Sequence, residues 1–152
     1  MEKISVSDLS VGDWVCAEQL CGVHSKPRLT PPMKVVGLGD GAGGWVNLMI
    51  DPEQGDPFEF EPSEIRGVPI TAEVLEKNGW QPPRKDVDLD TWWWTNGVDK
   101  AIEAYEYEGE WYLTIIEQKE IQYRNRVGIG LKHIHELQHE LRLAKVGKEI
   151  VV

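Results

Sequence analysis

"KAIEAYEYEGEWYLTIIEQ", residues 100–118, decides how this chain folds. Around Glu108-Gly109, two runs rich in Tyr, Trp, Ile and Leu alternate with polar residues. "YEGEW" at 107–111 reads as a tight turn, with Tyr105 and Tyr107 on one arm and Trp111 and Leu113 on the other. A period of two residues sends successive side chains to opposite faces, so each arm is a strand and the pair an antiparallel hairpin. "LDTWWWTNG" at 89–97 has the same β-forming composition and adds a third strand. The middle of the second half of the chain is therefore an aromatic-rich antiparallel sheet.

Between this sheet and the N-terminal half the texture changes. In "GVPITAEVLEKNGW", residues 67–80, Thr71 is placed to cap a short helix, Val74 and Leu75 fall on one side of it, and Asn78-Gly79 stop it. "QPPRKDVDLD" at 81–90 is polar and proline-bearing and reads as a loop.

Upstream, short strand candidates follow one another with Gly and Pro turns and no helical period between them. "VSDLSVGDWVCAEQL" at 6–20 is a turn feeding a strand, and "MKVVGLG" at 33–39 and "GWVNLMI" at 44–50 come next. In "PFEFEP" at 57–62, Phe58 and Phe60 alternate with Glu59 and Glu61. This spacing predicts a small antiparallel barrel over residues 1–68, with an α+β unit over residues 69–152. The glycine loop "GLGDGAGG" at 37–44 lacks the Lys-Ser/Thr and the following helix of a phosphate cradle and reads as a hairpin loop.

Composition narrows the function. The 152 residues carry 26 acidic and 16 basic side chains, a formal net charge of −10, which repels phosphate backbones and argues against a nucleic-acid binder. The densest basic group, Lys119, Arg124 and Arg126, is interrupted by Glu120 and reads as solvated surface. No apolar run approaches the ~20 residues that cross a bilayer, and "MEKISVSDLS" lacks the pattern of a secretory leader, so the expectation is a soluble, cytoplasmic protein. Cys16 and Cys21 are too few for a disulfide scaffold and are expected reduced. With His24 they offer three zinc ligands at a spacing that structural zinc does not favour, so no metal or cofactor is expected there.

Two groups of residues are candidate sites. Trp92, Trp93 and Trp94 are consecutive, so the middle ring of a strand must face away from its neighbours. With Trp111 they form either an aromatic binding surface or core beneath a C-terminal helix. The second group lies in "GLKHIHELQHELRLAKVG", 130–147, the clearest helical pattern in the chain, expected as a helix over 131–145. Ile134, Leu137, Leu141 and Ala144 make one apolar stripe.

Within that helix His135, Glu136 and His139 spell H-E-x-x-H, the pattern in which two histidines bind zinc and the glutamate acts as general base. At about 100° per residue, the two histidines share a flank about 120–160° from the middle of the stripe. A third ligand is missing: the extended motif needs Gly at Arg142 and His at Lys145, and beyond Lys145 the one carboxylate side chain is Glu149, in an expected terminal strand "KEIVV". A zinc hydrolase using His135, Glu136 and His139 is therefore the alternative, and a structural helix the preferred reading.

Two resemblances bear on this. "LSVGDWV" and the closing "FEPSEIRGVPIT" make the first part similar to SH3-like small barrels, modules that bind peptides, nucleic acids or other domains. "VPITAEVLEKNGW" at 68–80 and "IHELQHELRLAKVGKEIVV" at 134–152 resemble a group of small uncharacterised proteins of gut anaerobic bacteria and their phages or mobile elements. In that group the position of Glu136 is often Gln and that of His139 often Asn, which implies a structural helix and no activity. The resemblance implies a non-enzymatic accessory or interaction protein with a protein partner.

Overall fold

A computed structural model describes residues 2–19, 26–39, 44–49, 55–86, 91–96, 102–117, 123–143 and 150–152, the side chains of 82–86, 91–93, 96, 115–117 and 123–129 excepted. The chain is mostly β and forms two compact units, Met1–Pro69 with His133–His135, and Ile70–Lys132 with Glu136–Val152. No helix among the described residues is long and apolar enough to cross a membrane.

In the first unit β1 (Trp14–Gln19), β2 (Arg28–Leu29), β3 (Met33–Leu38), β4 (Val46–Met49), β5 (Phe58–Phe60) and β6 (Ile65–Gly67) form one antiparallel sheet curled into a half-barrel. Its order is β2-β1-β3-β4-β5, and β6 returns to pair with β1. Three strands share β1: Trp14 lies opposite Lys34 of β3, Glu18 opposite Leu29 of β2, and Cys16 opposite Arg66 of β6. Val15, Ala17, Met33, Val35, Val46, Leu48, Phe60 and Ile65 alternate inward and form the core with Leu9.

The "GDWV" signal is a turn entering β1. Gly12 takes a φ of 95°, where a side chain would be strained, and its N–H donates to Val35 O at 2.7 Å. Asp13 is buried, yet its Oδ2 accepts the Ser10 N–H at 2.8 Å and its carbonyl accepts the Val35 N–H at 2.9 Å. A buried carboxylate is tolerated when its acceptors are satisfied in this way. At the far side of β1, the Arg66 guanidinium donates to the carbonyls of Ser63 and Ile65 and pairs with Glu18 at 2.6 Å.

The second unit opens with α1 (Ala72–Lys77), whose Val74 N–H donates to the Thr71 hydroxyl as the sequence predicts. Gly79, at φ 80°, ends it. Then β7 (Trp80–Asp86), β8 (Thr91–Asn96), β9 (Ile102–Tyr107), β10 (Glu110–Glu117) and β11 (Tyr123–Leu131) run as a five-stranded antiparallel meander, followed by α2 (Ile134–Leu143). Glu108 and Gly109 both take positive φ, the conformation of a two-residue hairpin turn, so the 107–111 reading holds. Trp94, Ala104 and Leu113 form one buried cross-strand row. Thr95, Glu103 and Thr114 form the row on the opposite face.

Three elements differ from expectation. Residues 81–86, read as a loop, belong to β7. The two prolines fit because β7 is the edge of its sheet and its register shifts between Gln81 and Arg84, so the absent N–H groups cost no ladder bonds. β11 is not among the expected elements, and α2 begins at Ile134 rather than at residue 131 because Leu131 still belongs to that strand. Residues 144–149 lie outside the described residues, and Ile150–Val152 are in no strand.

Candidate functional site

The H-E-x-x-H residues sit at the start of α2. His135 is 2% exposed, and its ring stacks on that of His133, centroids 5.6 Å apart and planes 16° from parallel. His133 in turn lies against Gly67 of β6, where a Cβ would clash with the imidazole ring. The wheel puts His135 on a flank away from the apolar stripe, yet the helix buries Ile134, His135, Leu137, Gln138 and Leu141, an arc wider than one apolar stripe. His139 is half-buried.

Glu136 occupies the third position of the helix, and its Oε2 accepts the Lys132 N–H at 2.6 Å. A carboxylate here satisfies an N–H just ahead of the helix and complements the positive end of its dipole, so the group available as a general base instead closes the first turn. Lys132 is also tied through its ammonium, 3.7 Å from Glu110 Oε1, and Glu110 accepts the Tyr112 hydroxyl at 2.9 Å. The Glu110 side chain fills the space over Gly130 that any Cβ would need. Among the described residues, no three His, Cys, Asp or Glu side chains are grouped to hold a metal. Cys16 is a free, buried thiol whose pKa is raised by desolvation, and Cys21 and His24 lie outside the described residues.

Of the tryptophan cluster, Trp94 and Trp111 are buried and meet edge to face with centroids 6.4 Å apart, the geometry of core aromatics. The side chains of Trp92 and Trp93 lie outside the described residues. Arg124 and Arg126 stand on β11 opposite Ile116 and Thr114, and Lys119 lies outside the described residues.

Sequence reasoning missed the exposed aromatics of the first unit. Trp45, at the entrance to β4, is 49% exposed and Phe58, at the start of β5, 52%. The alternation in "PFEFEP" placed Phe58 with Phe60, yet only Phe60 is buried. A signal was present in the charges: between Lys34 and Arg66 there is no lysine, arginine or histidine, while seven acidic residues stand there. Asp56, Glu59 and Glu61 are exposed around Phe58. The described residues thus make the β4–β5 side of the half-barrel acidic, with Trp45 and Phe58 each exposed on it.

No protein-family profile, curated protein or solved structure matches the chain.

Proposed function

We propose that the chain is a non-enzymatic interaction module that presents the acidic β4–β5 side of its half-barrel, with its exposed aromatics, to a protein partner. The observation that carries this reading is the exposure of Trp45 and Phe58 within a stretch devoid of positive charge. Aromatic side chains are enriched at protein–protein interfaces, and acidic residues around them suit a positively charged partner. The connectivity supports an SH3-like reading of this unit, since a single 3₁₀ turn, Pro62–Glu64, leads from the last meander strand into β6, which pairs with β1. The engagement of Glu136 at the helix start and of His135 in a ring stack supports a structural role for α2 over hydrolysis. The resemblance of 68–80 and 134–152 to proteins of bacteria and their phages or mobile elements supports an accessory role in the cytoplasm of such a host.

The test compares affinity capture by the unmodified chain and by a Trp45→Ala/Phe58→Ala variant, both checked for an unchanged thermal transition. Proteins retained by the first and lost by the second are the expected result. Identical recovery by both overturns the reading.

A further inference from the structure

We infer that the free edge of β5 accepts one more strand, donated by an extended, positively charged segment of another protein. The inference rests on the interaction reading above and adds the mode of binding and the chemistry of the partner.

β5 is the last strand in its sheet, paired with β4 and with no other described strand. The cross-strand row Val35–Leu48–Phe58 shows what is missing there. Val35 and Leu48 are 0% exposed, whereas Phe58, in register with Leu48, is 52% exposed. Facing residues of neighbouring strands share a side of the sheet, so Phe58 points the same way as the core residues, and since Phe60 on the same edge is buried, the open place among the described residues lies beside Phe58. One added strand would supply the next member of that row and pair the outward backbone groups of β5, as in recognition by strand addition.

Charge selects the occupant. Glu59 is the residue of β5 that points to the outer side, opposite Asn47, and Asp56 and Glu61 flank the strand on the exposed surface. Sheet edges are commonly defended by lysine, and no basic residue stands between Lys34 and Arg66. A second copy of this chain is disfavoured, because antiparallel pairing of two β5 edges about Glu59 sets like charges against each other between molecules that each carry −10. A segment with lysine or arginine opposite Glu59 and apolar residues opposite Phe58 and Phe60 satisfies both faces. The required pattern is apolar–basic–apolar, with further positive charge on either side. Pro57 and Pro62 bound the strand, so only three residues pair, which predicts weak, salt-sensitive and reversible binding.

The probe is the capped peptide acetyl-GKVKVKG-amide, titrated into the ¹⁵N-labelled full chain at low salt. The expected result is shift changes and slowed hydrogen exchange confined to the amides of 58–60 and their β4 neighbours, with no binding of acetyl-GEVEVEG-amide. Glu59→Lys should weaken the basic peptide about ten-fold, as expected when an attractive cross-strand pair becomes repulsive. Phe58→Ser, at an exposed position, serves as a second variant that also weakens binding. Backbone parity gives the decisive arm. In an added strand alternate residues point their N–H groups at the edge, so a peptide N-methylated at both valines and one N-methylated at the central lysine must differ, one binding and the other not. Equal binding of the two N-methyl peptides, or shift changes away from β5, overturns strand addition. Such a result leaves the interaction module standing if the capture experiment still depends on Trp45 and Phe58, whereas strand addition with no such dependence removes the broader reading alone.

Discussion

Replacing Gly67 with alanine tests whether packing at the His133 ring holds β6 in place. The φ of Gly67 lies outside the left-handed region, so the backbone itself admits alanine. What does not admit it is the ring, since an ideal Cβ would lie 2.1 Å from His133 Cδ2 and 2.4 Å from its Cγ. Relief requires the ring or β6 to move by more than an ångström. β6 is held by its ladder to β1 and by the Gly67 N–H to Glu2 O bond at 3.2 Å. His133 is held by its bridge to Pro69, by the neighbouring Ile134 N–H to Val68 O bond at 2.8 Å and by the His135 stack. Overpacking of this kind costs about 1–3 kcal/mol, against roughly 0.5 kcal/mol returned by lower chain entropy in the unfolded state. In a His133→Ala background the Cβ has space, so the same substitution should be neutral or slightly stabilising. Urea midpoints at unchanged m for the four members of this cycle give the coupling, expected at about 1–3 kcal/mol. A Gly67→Ala cost that is the same with and without the His133 ring refutes the argument.

Along α2, Leu137→Ala should cost about 2–5 kcal/mol and His135→Ala about 1–3 kcal/mol, because both side chains are buried, while His139→Ala should stay within about 0.5 kcal/mol; thermal unfolding of the three variants checks the order. Asn78 donates to Val74 O and Val151 O and accepts the Val151 N–H, so Asn78→Ala should cost about 1–3 kcal/mol and speed hydrogen exchange at Val151. The Cys16 thiol is pushed above 9.0 by burial in the folded chain, so the unfolded state loses its proton first. The contribution of this group is complete below 9.0 and falls as pH rises above it, a decline that Cys16→Ala should remove from the stability profile. The same burial predicts that iodoacetamide labels Cys16 only after unfolding, as read by peptide mass spectrometry.

The β architecture was legible because its signals are local. The turn at Glu108-Gly109, the alternation on either side of it and the Gly-Asp pair before β1 each specify a conformation within four residues. β11 carries a local signal too, since Tyr123, Asn125, Val127, Ile129 and Leu131 alternate with Arg124, Arg126, Gly128 and Gly130. The arginines give the segment the look of a charge patch, and the glycines, with no side chain, weaken the period. Gly130 is required for a reason outside its own segment, the Glu110 side chain that lies over it. β7 illustrates the opposite case. Two prolines argue against a strand unless the strand is an edge, and edge position is a property of the whole sheet that no window of residues contains.

The site was less legible because exposure depends on where rows of side chains end. Phe58 and Phe60 are equivalent in the sequence pattern, and both point to the core side. They differ in position along β5: Phe60 lies opposite Val46 and is buried, whereas Phe58, the first residue of the strand, lies opposite Leu48 and is exposed. The histidines follow the same logic in reverse. A helical wheel assumes one buried stripe, so it assigns the flank to solvent, but packing on a second side of α2 draws His135 in. That is also why the motif reads as chemistry on paper. H-E-x-x-H specifies residue types on one helical flank, and the flank takes its meaning from what faces it. Here His133 faces His135, and the Lys132 N–H meets Glu136, so two of the three motif residues are committed to holding the start of the helix.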